Sequence, residues 1–120
     1  MTRHRKPAEW EPHAACWFAW PVHAYSGEAQ LEGARRELAA LCETIATAGG
    51  ERVELLVDDE AAEGSAEAAF AGRRGDVRLR RVCYSDIWLR DTGPVFTRGE
   101  DGLAGTHFRF NGWGGKYLYP

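Results

Sequence analysis

At 120 residues the chain is long enough for one domain with a modest core and too short for two. Its net charge of −3 is spread as mixed signs along the whole length, which excludes the one-sided basic face of a nucleic-acid binder. No apolar run approaches bilayer-spanning length, and the basic start Met1-Thr2-Arg3-His4-Arg5-Lys6 leads into no apolar segment, so the expectation is a cytoplasmic protein with a solvated tail and no membrane partner.

Pro7-Ala8-Glu9-Trp10-Glu11-Pro12-His13 is bracketed by prolines and predicts an extended entry segment. Ala14 to Trp20 is a continuous apolar run ended by Pro21, short enough to be a strand buried on both faces. Ser26 can cap a helix whose apolar stripe is Leu31, Ala34, Leu38, Leu41, Ile45 and Ala48, with Glu28 near its positive end. Gly49-Gly50 ends that helix. Val53 to Val57 reads as a strand, and Asp58-Asp59 cap a second, alanine-rich helix reaching about Phe70. After the polar loop Gly72-Arg73-Arg74-Gly75, residues Val77 to Val82 alternate apolar side chains with Arg78, Arg80 and Arg81, the pattern of a strand with a solvated face or edge. Val95 to Thr97 opens a hairpin that turns at Arg98 to Gly102 and returns from Leu103 to Phe110. His107, on the return strand, has no nucleophile or second ligand near it in sequence and reads as packing or surface. Strands alternating with helices predict an α/β fold.

Cys16, Cys42 and Cys83 are odd in number and widely spaced, with no Cys-x-x-Cys pair. That argues against a disulfide framework or a metal site and predicts reduced thiols that pack as small hydrophobes.

The chemistry concentrates in Ser85-Asp86-Ile87-Trp88-Leu89-Arg90-Asp91-Thr92-Gly93-Pro94, which places two carboxylates, an indole and a guanidinium at the end of a strand and before a Gly-Pro bend. An Asp beside a Trp suits a flat cation, because the carboxylate pairs with it and the ring face attracts it. The same residues also fit a plain turn, with Trp88 in the core and Arg90 and Asp91 as a surface pair. A second dense stretch, Phe110-Asn111-Gly112-Trp113-Gly114-Gly115-Lys116-Tyr117, carries aromatic and cationic side chains on glycines that permit tight bending or close approach to a ligand.

These two blocks, with Pro7 to His13 and Trp17-Phe18-Ala19-Trp20-Pro21, resemble in order the N-terminal blocks of agmatine deiminase and the bacterial-type peptidyl-arginine deiminases, in the guanidino-group-modifying superfamily. The resemblance implies a partial α/β propeller, the first one to two units of a pentein-type ring with pseudo-fivefold symmetry, and residues 1–120 as the N-terminal portion of that domain. It implies hydrolysis of agmatine to N-carbamoylputrescine and ammonia, a step of polyamine and putrescine synthesis, with no metal or organic cofactor. By motif position Asp91 corresponds to a guanidinium-binding carboxylate and Trp88 to a pocket tryptophan, and Trp113 resembles a residue of a nearby loop. No catalytic residue is assigned within this chain: the nucleophilic Cys and the His are expected beyond Pro120, and none of the three cysteines matches the nucleophile's glycine-rich context. Val22-His23-Ala24-Tyr25-Ser26 departs from the family's Asn- and Trp-containing loop after Trp-Pro, which bears on substrate identity.

The resulting expectation is a hydrolase fragment that binds a small guanidino substrate and is inactive alone, often a homodimer in its family. The other readings are a non-catalytic guanidinium- or amine-binding module and an inactive truncated remnant. Peptidyl-arginine and free arginine are alternative substrates.

Overall fold

The computed structural model describes residues 4–117, which divide into two compact units, residues 13–87 and residues 4–12 with 88–117.

In the first unit, strand β1 (Ala15–Ala19), helix α1 (Glu28–Thr47), strand β2 (Arg52–Val57), helix α2 (Glu60–Phe70) and strand β3 (Val77–Arg81) form two successive β-α-β crossovers. The sheet is parallel, in the order β1-β2-β3. Cys16, Val53 and Val77 stand in register, as do Phe18, Leu55 and Leu79. Paired positions in a parallel ladder share a face, so this set points one way while Trp17, Glu54 and Arg78 point the other. Both helices cover the first face: Val53, Leu55 and Val57 pack with Ala39 and Cys42 of α1 and with Ala62 and Ala66 of α2.

The mixed α/β class agrees with the alternation seen in the sequence, and several local expectations need correction. The strand buried on both sides is β2, not the apolar run at 14–20: β1 lies at the sheet edge, and Trp17 is exposed. Continuous hydrophobicity therefore marked only one buried face there, with Trp20 just beyond the strand completing the core. The buried line of α1 is rotated from the expected stripe. Leu31, Ala39 and Cys42 are buried, with Leu38 and Ile45 partly so, whereas Ala34, Leu41 and Ala48 are exposed. Small side chains at 39 and 42 let the helix lie close to the sheet, and that contact, rather than summed hydrophobicity, sets its rotation. Ser26 is not the cap: Gly27, at φ 105°, holds that position with no side-chain bond. Asp59 does cap α2, accepting from the Ala62 amide at 2.8 Å. The arginines of β3 are spent on nearby acids, Arg78 on Asp76, Arg80 on Glu54 and Arg81 on Glu63.

The second unit contains a one-turn helix, α3 (Leu89–Thr92), and an antiparallel hairpin of β4 (Val95–Gly99) and β5 (Gly102–Thr106). The return strand ends at Thr106, short of Phe110, and His107 beyond it is exposed. Of the expected solvated tail, residues 1–3 lie outside the described residues, and Arg5 exchanges two 2.8 Å backbone hydrogen bonds with Arg98 of β4. The Arg5 guanidinium also meets Glu11 through two hydrogen bonds of 2.5 and 3.0 Å, which together with the Ala8 amide hold the Glu11 carboxyl down at about 2.

Two consequences of the β2 environment are measurable. Leu55 is fully buried, so Leu55→Ala is expected to cost about 2–5 kcal/mol of unfolding free energy, read by denaturant titration. Glu54 lies on the far face of the sheet with its side chain 4% exposed, 2.7 Å from both Arg52 Nε and Arg80 Nε. The hydrogen bond from Arg80, opposed by desolvation and helped by both positive charges, holds its carboxyl below the ordinary 4.5. A depressed folded-state value gives stability that is complete above the unfolded value and lost as pH falls through the folded one. Glu54→Gln is therefore expected to melt at lower temperature at pH 7, with the gap from the parent closing below about pH 4.

Candidate guanidinium-binding site

Each predicted site residue lies in the unit containing residues 88–117. Trp88 sits immediately before α3, and its carbonyl accepts from the amides of Asp91 and Thr92 at 3.1 Å and from Thr92 Oγ1 at 3.1 Å. The motif is thus a helical turn rather than the end of a strand, since β3 already stops at Arg81. Gly93 closes this turn through its amide to Leu89 O at 2.8 Å, and a Cβ there would come within 2.6 Å of that oxygen. The expected sharp bend at Gly-Pro is present, and it needs a residue without a side chain.

Asp91 and Trp113 are brought together. The indole Nε1 of Trp113 donates to Asp91 Oδ1 at 3.1 Å, across 22 residues of sequence. Among the described residues the carboxylate bonds to this loop and not to the amides of its own turn. Nor do Arg90 and Asp91 form the surface pair: Arg90 reaches Glu9 of the entry segment instead, with both side chains largely exposed. The expectation of a desolvated Asp91 is not met, because the residue is exposed, as are Trp88 at 51% and Trp113 at 38%. What positions the acid in this chain is a hydrogen bond, not burial.

The loop that carries Trp113 is tightly specified. Asn111 Oδ1 accepts from the Gly114 amide at 3.0 Å, and Lys116 and Tyr117 donate to Gly112 O at 2.9 and 3.2 Å. Gly112 has φ 67°, and a Cβ there would lie 1.9 Å from Tyr117 O. Trp113 itself adopts φ 55°, ψ 51°, the left-handed region, which costs a residue with a side chain about 1–2 kcal/mol. Phe110 and Tyr117 meet the Trp113 ring edge-on, at centroid separations of 4.9 and 5.8 Å. Those contacts, together with the bond to Asp91, offset the strain.

The other carboxylate of the motif, Asp86, belongs to the unit of residues 13–87 and was not singled out from sequence. It is 6% exposed and accepts from Tyr25 Oη at 2.8 Å and from the Ile87 amide at 2.7 Å. A cleft of about 230 Å3 opens beside it, lined by Pro21, Tyr25, Gln30, Leu31, Asp86 and Ile87. The available signal was Tyr25, a hydroxyl donor inside the stretch that departs from the family pattern.

The thiols are poorly suited to attack. Burial, then the hydrogen bond to Glu51, pushes Cys16 up to about 11; burial pushes Cys42 to about 11; and Asp58 raises Cys83. A nucleophilic cysteine requires the opposite environment, one that favours the thiolate. Cys83 is also exposed, contrary to the expectation of a buried thiol.

The mixed α/β architecture is that of agmatine deiminase structures: an agmatine deiminase from C. jejuni solved with substrate bound superposes with a TM-score of 0.81 over 99% of this chain and 34% of its own, at 18% identity. Residues 5–119 match the model of the Porphyromonas-type peptidyl-arginine deiminases, and the chain belongs to that family. An agmatine deiminase of Stutzerimonas stutzeri is 34% identical over 111 residues, 92% of this chain and 29% of its own length. One from Pseudomonas aeruginosa is 33% identical over 112 residues, 92% of this chain and 29% of its length. The chain thus spans about a third of the length of the curated relatives it matches.

Because Gly112 admits no side chain, Gly112→Ala is expected to break the loop and release the Trp113 ring. Trp113 fluorescence, isolated by replacing the other tryptophans with Phe, should then shift to the red relative to the same background carrying Gly112.

Proposed function

We propose that this chain is the guanidinium-holding portion of an agmatine deiminase-type hydrolase. The observation that carries the reading is the hydrogen bond from Trp113 to Asp91, which draws two separately nominated residues into one place. With Oδ1 oriented by the indole, the carboxylate presents its remaining lone pairs to a planar cation. A guanidinium offers parallel N–H groups that match such an acceptor. The exposed Trp88 ring provides an apolar and π-rich surface in the same unit.

In this reading Asp91 holds the guanidinium through paired hydrogen bonds, and Trp88 and Trp113 bound its pocket. A thiolate attacks the central carbon, ammonia leaves, and water hydrolyses the covalent intermediate to N-carbamoylputrescine. The sulfur and the histidine that serves as acid and base come from the part of the enzyme equivalent to the remainder of the relatives' length. The raised values of Cys16, Cys42 and Cys83 support placing the nucleophile elsewhere. The two β-α-β crossovers fit the first part of a pentein-type propeller, and a homodimer fits the family. Agmatine is preferred to peptidyl-arginine or free arginine because the relatives are named agmatine deiminases. No helix among the described residues is long and apolar enough to cross a membrane, which is compatible with a cytoplasmic enzyme of polyamine synthesis.

A second reading, a guanidinium-binding module without turnover, is favoured by the same division, since the nominated binding residues are here and a competent thiolate is not.

Two measurements test these readings. The 120-residue chain should release no ammonia or N-carbamoylputrescine from agmatine, and turnover would overturn the division of the site. Agmatine binding by calorimetry should weaken roughly tenfold or more in Asp91→Asn, the loss of one charged partner. An unchanged affinity would remove Asp91 from the site.

A further inference from the structure

Outside the motif, three side chains capable of binding a metal converge in the unit of residues 13–87. His13, Cys16 and Glu51 each bring one donor atom to a point where all three lie within 4.8 Å of one another. His13 Nδ1 is 3.1 Å from both carboxylate oxygens of Glu51, and Cys16 Sγ is 2.9 Å from Oε2. We propose that His13, Cys16 and Glu51 form a binding site for one zinc-like divalent ion, with the fourth position open to water or a small ligand.

The donor set selects the ion. Thiolate, imidazole and carboxylate together suit zinc and its cobalt substitute, whereas magnesium and calcium prefer oxygen donors alone. Bonds of 2.0–2.3 Å in a tetrahedron put donor atoms about 3.3–3.6 Å apart, so the two contacts to Glu51 would open slightly, while His13 Nδ1 and Cys16 Sγ lie within 4.8 Å of each other. The donors come from two segments that the sheet holds side by side. Ala15 pairs with Arg52 and Cys16 with Val53, so Glu51, two residues before Val53, lies diagonally across the ladder from Cys16, where the two side chains meet. His13 enters from the same strand lead, three residues before Cys16. This pairing is why a sequence without Cys-x-x-Cys spacing gave no metal signal: the third donor is 35 residues away, across the ladder.

Without the ion, Glu51 is held by His13 Nδ1 and by the Cys16 thiol, the latter a poor hydrogen-bond donor. Metal binding exchanges the Cys16 S–H contact to Glu51 for a sulfur–metal–oxygen bridge and releases the thiol proton to solvent. The proposal is independent of the guanidinium reading and survives its failure.

The test is titration of the reduced 120-residue chain with cobalt(II). A near-ultraviolet thiolate-to-cobalt charge-transfer band is expected to saturate at one equivalent and to be displaced by zinc but not by magnesium. The band should vanish in Cys16→Ser and persist in Cys83→Ser. Affinity should fall roughly tenfold or more in His13→Asn and in Glu51→Gln. Zinc should also raise the melting temperature of the parent, and that rise should be lost in His13→Asn. His13 is a surface residue, so that variant carries the test even where Cys16→Ser fails to fold. Absence of a band, its persistence in Cys16→Ser, its loss in Cys83→Ser, or undiminished affinity in His13→Asn would overturn the proposal.

Discussion

The unit of residues 13–87 depends on keeping one strand out of water. Strand β2 has Val53, Leu55 and Val57 wholly buried beneath two helices, and on its other face a nearly buried Glu54 between two arginines. The apolar side supplies the driving force, while the ionic side cannot lose one partner without stranding the others. Placing β2 at the centre fixes what β1 and β3 can do. Each needs only one apolar face, and each gives its other face to exposed or charged side chains such as Trp17, Arg78 and Arg80. The same register sets Cys16 opposite Val53, with Glu51 two residues earlier on the neighbouring segment, so a packing requirement also determines which polar groups meet at the start of the ladder.

In the unit containing residues 88–117 the determining factor is backbone geometry rather than burial. Almost every large side chain there is at least partly wet, and the bond between Trp113 and Asp91 exists because a chain of left-handed residues turns the indole toward the acid. Gly112 and Gly114 adopt that conformation without strain, but Trp113 does not, so a bulky residue in this region marks a place where side-chain contacts outweigh backbone preference. Strain held by a polar contact and two edge-on rings is the arrangement expected where an orientation matters more than stability.

Legibility from sequence followed the type of force involved. The strand-helix alternation, the extent of α1 and the Asp59 cap followed from local periodicity or local chemistry, whereas the β3 arginines, expected only on a solvated face or edge, are paired with acids. The rotation of α1 did not, because Ala39 and Cys42 win their buried positions through helix-to-sheet distance, which no hydropathy stripe encodes. The edge position of β1 was likewise hidden, since an apolar run looks alike at a sheet's centre and at its margin. At the site, motif resemblance nominated Asp91, Trp88 and Trp113 separately. The contact between Asp91 and Trp113 spans 22 residues and rests on a left-handed tryptophan, for which sequence spacing gives no sign. Asp86 was written in the same motif, but its significance lies in its burial and in Tyr25, neither of which is a property of the motif itself.

The behaviour of the thiols joins these observations to the chemistry. An arginine-type substrate is already cationic, so a cysteine that attacks it gains from that charge, and carboxylates beside the substrate serve to hold it. The same carboxylates placed beside a cysteine with no cation between them have the reverse effect: Asp58 acts in this way on Cys83, and Glu51 adds to the larger effect of burial on Cys16. An acid that helps a deiminase when it faces a guanidinium therefore silences a thiol when it faces sulfur directly. In this chain Asp91 sits beside an indole, while the acids near cysteine are Glu51 and Asp58. That separation, more than the mere presence of the residue types, is what the proposed division between holding and cleaving a guanidinium rests on.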